Sequence, residues 1–238
     1  MRPIIIGGDD ITIISTGRLG LEFSVKFIEA LSPDPAKGKE DGIYCCGGVA
    51  IVHANYPFYR AYELAEQVCA EAKKLSRGKN ASLIDFAILH GEAYPELSQL
   101  RDHQYKALNG ERNLHFGPYY IAGEIDEART YQKLYELAKK LAKVNSNKYK
   151  QLRDVLQEDD HYIQMYLDEC KQTVEVDLSK QRGNIVSVLM EERKKNKNKI
   201  NGTDFWEKLT DEKTDKEIIS ARYIDAIEII DYMVGLER

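Results

Sequence analysis

The chain opens on two apolar, β-branched runs, Arg2-Pro3-Ile4-Ile5-Ile6 and Ile11-Thr12-Ile13-Ile14-Ser15, around Gly7-Gly8-Asp9-Asp10. That pattern predicts strand, tight turn, strand. Leu21, Val25 and Ile28, with Phe27 or Leu31, then fall at helical spacing, and Pro33-Asp34-Pro35 stops the helix before an exposed loop at Lys37 to Asp41. Ile43 to His53 reads as a strand whose glycines and alanines keep its surface thin, as a neighbouring helix or a nucleotide would require. Tyr56 to Arg77 reads as a long helix with Pro57 near its first turn. A strand over Leu83 to His90, apolar except for Asp85, is expected to close the sheet. The order strand, strand, helix, strand, helix, strand predicts an α/β (α+β) domain over residues 1–123.

Residues 92–122 form an irregular connection, broken at Tyr94-Pro95 and Gly117-Pro118 and turning at Asn109-Gly110. Leu114-His115-Phe116 with Tyr119-Tyr120-Ile121 is a candidate added strand. From Asp126 the rhythm becomes helical. Tyr131, Leu134, Tyr135, Ala138, Leu141 and Ala142 mark a helix over 128–144, with lysines opposite. Further helices are expected at about 147–170, 181–197 and 214–234, so that residues 124–238 make a helical subdomain.

Composition narrows the class. At 238 residues with 43% hydrophobic side chains the chain can bury a core, and a net charge of −5 argues against a general coat for nucleic acid. No apolar run approaches the length of a membrane span, and Met1-Arg2-Pro3 leads into a strand without a secretory leader pattern. The four cysteines, Cys45, Cys46, Cys69 and Cys170, lack metal-ligand spacing and read as reduced thiols of a cytoplasmic protein.

The chemistry-bearing stretch is the Gly7–Asp10 turn. Glycines let another backbone or a phosphate come close, and adjacent carboxylates suit Mg²⁺ or Mn²⁺ with positions left for substrate phosphates. The plainer alternative is a hairpin turn with two solvated aspartates. His90, His103 and His115 have no helical pairing and read as solvated or hydrogen-bonding histidines rather than ligands. Glu158-Asp159-Asp160-His161 reads as acidic residues serving a helix N-terminus. The basic run from Arg193 to Lys199 reads as a solvated helix end, with nucleic-acid phosphates as the alternative. Most of the 15 tyrosines sit at amphipathic helix positions that bury the ring and wet the hydroxyl.

The first half resembles the palm domains of diguanylate cyclases and, more closely, the second palm domain of the large subunit of type III CRISPR effector complexes. Those large subunits carry Gly-Gly-Asp-Asp, as here at Gly7 to Asp10. The likeness runs on through Gly42 to His53, Tyr56 to Glu66 and Ala72-Lys73-Lys74. It implies a ferredoxin-like palm lacking its first strand and helix, followed by helices. It implies Asp9 and Asp10 as catalytic metal ligands, Gly7 and Gly8 as backbone that admits a nucleotide, and Lys73 or Lys74 as a phosphate contact. Two Mg²⁺ or Mn²⁺ ions about 4 Å apart would serve transfer chemistry on ATP or GTP, yielding a cyclic product. In such palms the first strand supplies a further aspartate. The resemblance therefore leads us to expect an N-terminal portion absent from this chain, or a second chain such as a subunit of an RNA-guided effector, in antiviral defence. Two classes stay open: a metal-dependent nucleotidyl cyclase, and a non-catalytic palm serving as an assembly module.

Overall fold

The expected hairpin forms in the computed structural model, with strand β1 (Arg2–Gly7) antiparallel to β2 (Asp10–Ile14). The structure describes residues 1–34, 38–91, 94, 96–108, 111–176, 185–195, 207–210 and 217–234. The fold is α+β and divides into two compact units.

The first unit comprises Met1–Leu97, Gly117–Tyr131 and Asp231–Gly235. The hairpin leads through Ser15 and Thr16 into helix α1 (Gly17–Leu31), which buries Leu21, Val25 and Ile28 as the spacing predicted. Strand β3 (Cys46–Ile51), helix α2 (Phe58–Ser76) and strand β4 (Ala81–Ile88) form a βαβ unit with β3 parallel to β4. Strand β7 (Tyr119–Gly123) lies antiparallel on the other side of β4. The sheet order is therefore β3-β4-β7, and β4 is its centre rather than its closing strand. Burial on both faces explains why all eight residues of β4 are buried, Asp85 among them. The Leu114–Phe116 half of the expected added strand is not strand; the Tyr119 half is.

The hairpin does not join this sheet. It stands as a separate two-stranded ribbon, so the sheet read from the sequence as continuous is two. The helices lie on opposite faces of β3. A Cβ at Gly47 would meet Ile28 of α1, whereas one at Gly48 would meet the backbone of α2 at Ala65 and Cys69. Leu64, Val68, Ala72 and Leu75 form the buried stripe of α2. Burial of Leu and Val side chains such as Leu64, Val68 and Leu75 stabilises by about 2 kcal/mol apiece.

The second unit is chiefly Ser98–Phe116 and Gln132–Ile230. Its helices are α4 (Tyr131–Ala142), α5 (Ser146–Val155), α6 (Asp160–Val176), α7 (Ile185–Lys195) and α8 (Tyr223–Ile229); α3 (Leu97–Gln104) precedes them in the chain. The single helix expected at 147–170 is two, parted near Leu156 to Asp159. The helix expected at 214–234 is corrected further: among its described residues Glu217–Ser220 is strand β9, and the α-helix is confined to Tyr223–Ile229. Strand β9 sits in a four-stranded sheet with β5 (Lys106–Ala107), β6 (Arg112–Asn113) and β8 (Glu207–Thr210), in the order β5-β6-β9-β8. Pairing to β8 just upstream and to the distant β6 overrides the local helical spacing there, as β-branched Ile218-Ile219 allows.

Candidate functional site

The hairpin tip is built by its two central residues. Gly7 pairs with Asp10, leaving Gly8-Asp9 as the turn. Gly8 has φ +61° and is the only turn residue in the left-handed region, the pattern of a type II′ turn that fits the twist of a hairpin. A Cβ added at Gly7 or Gly8 would meet nothing within 4 Å, so the backbone there is open to an approaching group. Asp9 and Asp10 are both solvent-exposed.

The lysines proposed as phosphate contacts lie in the last turn of α2. Lys74 forms an ion pair with Glu71 one turn back. Lys73 is exposed. Its surroundings are reported by Cys69, one turn earlier on the same helix. Burial pushes the Cys69 thiol up to about 11; the charge of Lys73 pulls it back down, and the charges of Cys46, Glu66 and Asp10 push it further up. The charges of Asp10 and Lys73 thus act on one thiol with opposite sign, from two elements. Gly7, Gly8, Asp9 and Asp10 are together by contiguity, and of the two lysines Lys73 is the one with its charge available.

The donor set fits a hard divalent cation in part. Two carboxylates with open surroundings suit an ion that keeps water and substrate phosphates as its remaining ligands, the usual situation for Mg²⁺. Among the described residues no group of three or more His, Cys, Asp and Glu side chains could hold a metal, so no all-protein cage is formed there.

The histidines behave as hydrogen-bonding groups where their partners are defined. His115 is buried in the second unit, its Nδ1 2.9 Å from Asp225 and its Nε2 3.1 Å from Arg101. A guanidinium can only donate, so His115 accepts at Nε2 and donates from Nδ1 to Asp225. The other Asp225 oxygen accepts from the Phe116 backbone N–H at 2.8 Å. Alongside, Tyr105 donates to Glu228 at 2.5 Å, and Arg153 pairs with Glu228 at 3.2 Å. Burial and the charges of Glu228 and Asp225 hold the Tyr105 hydroxyl well above its ordinary pKa. Sequence reasoning did not single out the two acids of this network. The available signal was carboxylates set in the near-continuous apolar run Tyr223 to Ile230.

Asp159 accepts from the backbone N–H groups of His161 and Tyr162, capping α6 as the acidic cluster predicted. Of the basic run, Arg193 to Lys195 end α7 and Asn196 to Lys199 lie outside the described residues. Among the described residues no helix is long and apolar enough to cross a membrane. No family model and no curated protein matches the chain.

Proposed function

We propose that this chain is a nucleotide-binding palm protein of the type III CRISPR large-subunit kind, whose Gly7–Asp10 hairpin holds Mg²⁺ or Mn²⁺ against ATP or GTP. The observation that carries the reading is the tip itself: two exposed carboxylates on a glycine turn with open space above it. In this reading Asp9 and Asp10 supply hard oxygen ligands, Gly7 and Gly8 let the triphosphate approach the backbone, and Lys73 offsets its charge from α2. The bound cation would activate a ribose hydroxyl and steady the leaving pyrophosphate, which is nucleotidyl transfer. If the chain is catalytic, a cyclic nucleotide is the product class.

A second reading is supported by the hairpin's separation from the β3-β4-β7 sheet. A palm positions its carboxylates from the sheet, and a free-standing ribbon holds them less rigidly. On this reading the chain is a non-catalytic assembly module in a defence or nucleic-acid-associated complex.

Isothermal titration of ATP and of GTP in the presence of Mn²⁺, on the chain and on Asp9→Ala/Asp10→Ala, separates the two. Binding that needs both metal and carboxylates supports the nucleotide site and calls for an assay of cyclic products. Failure of the folded chain to bind, or binding indifferent to the double substitution, overturns it in favour of the assembly module.

A further inference from the structure

The hairpin leaves unusual apolar surface in water. Ile6 is 74% exposed, and Ile4, Ile5, Ile11 and Ile14 are between 39% and 45% exposed. Successive strand residues face opposite ways and cross-strand partners share a face, so Ile6 with Ile11 on one side and Ile5 on the other are open together. Apolar residues on both faces are the mark of a strand inside a covered sheet, and a lone two-stranded ribbon is marginal in water.

Strand β3 has the complementary deficiency. It pairs with β4 alone, and its other edge has no strand partner among the described residues. With α1 over one face and α2 over the other, β3 can be extended only edgewise, by a strand. The chain therefore carries a sheet edge without a neighbour and a ribbon without a sheet, and their lengths agree: β3 has 6 residues, β2 has 5. Within one chain the two are not joined. Of the ribbon's strands β2 is the better donor, because β1 contains Pro3, which has no N–H, and its register slips between Pro3 and Ile5.

We infer that a second copy of this chain is the missing neighbour, with β2 of each copy adding to the β3 edge of the other. The exchange is reciprocal and uses one surface twice, so it closes as a two-fold dimer rather than growing into a fibre. Backbone hydrogen bonds along β3 and burial of the hairpin isoleucines supply the affinity. The inference stands apart from the nucleotide reading, although Asp10, the first residue of β2, would be carried beside the partner's sheet.

Light scattering coupled to size exclusion, over a wide range of protein concentration, tests it. The chain is expected at twice its 27.3 kDa mass, and Ile11→Lys/Ile14→Lys at 27.3 kDa with an unchanged circular dichroism spectrum. A chain that stays monomeric, a dimer that survives the two lysines, or open-ended growth with concentration overturns it. Hydrogen exchange on the unsubstituted chain gives a readout independent of the variant. Amide exchange in β3 and β2 slows as concentration rises if the strands pair between copies, and exchange in those strands that ignores concentration overturns the proposal.

Discussion

At Cys69 the chemistry of a single side chain is set by burial. Its thiol is pushed from 9.0 to about 11, chiefly because the thiolate would lose its water, and the charge of Lys73 only partly offsets this. At pH 8 a shift of that size leaves about 100-fold less thiolate than an ordinary cysteine has. Alkylation by iodoacetamide, followed by peptide mass spectrometry, should therefore label Cys69 at a small fraction of the rate of free cysteine. Labelling at the free rate would show the thiol to be solvated. The same shift has a sign for stability. The folded state holds the proton more tightly, so the contribution is fully present below pH 9 and is lost as the pH rises from 9 towards 11. Cys45 shifts the same way, first through burial and then through Cys46. The sequence could suggest that these thiols are reduced and apolar in their surroundings. That the charge of Asp10 acts on one of them could not be read, since strand β2 and helix α2 are far apart in the chain.

The βαβ element turns on how closely α2 approaches β3. A Cβ at Gly48 would stand 2.3 Å from the Cys69 amide nitrogen and 2.4 Å from the Ala65 carbonyl oxygen, both helix backbone that cannot rotate aside. At Gly47 the obstacle is the Ile28 Cδ1 methyl at 2.9 Å, the end of a flexible side chain. Gly48→Ala should therefore destabilise by about 3 kcal/mol or more by forcing the helix off the sheet, and Gly47→Ala by about 1 kcal/mol. Urea midpoints of the two variants decide it, and equal losses would mean that α2 is not seated on Gly48. The sequence allowed two reasons for a thin strand here, a helix or a nucleotide, and the structure supplies the helix. The α1 and α2 spacings were legible because each helix buries one stripe against a sheet next to it in the chain. The stretch at 214–234 was not, because β9 is held by antiparallel pairing with β8 just upstream and by β6, where Arg112 lies opposite Ile219 across more than a hundred residues. No local periodicity records such a partner.

Over the whole molecule the two compact units cut across the order of the chain. The segment Ser98–Phe116 belongs with Gln132–Ile230, and Gly117–Tyr131 belongs with the first unit. Within the second unit the buried polar network ties the early segment to the late one: His115 and Phe116 meet Asp225, Tyr105 meets Glu228, and Ser220 donates to the His115 carbonyl at 3.2 Å. Two buried carboxylates, Glu228 paired with Arg153 and Asp225 hydrogen-bonded by His115 and the Phe116 amide, are a costly arrangement to assemble, and costlier to break from one side. Asp225→Ala removes the acceptor of the His115 ring and of the Phe116 amide together. It should cost about 3–5 kcal/mol, whereas Asp225→Asn, which keeps one carbonyl acceptor, should cost less. Because His115 and Phe116 lie with Asp225 in the second unit, the loss should be local. Hydrogen exchange of Asp225→Ala should show faster exchange throughout α5, α8 and the residues 105–116, with β3, β4 and α2 as protected as before. Equal loss of protection across both sets would mean that the chain unfolds as one cooperative body and that the network's influence reaches beyond the segments it joins.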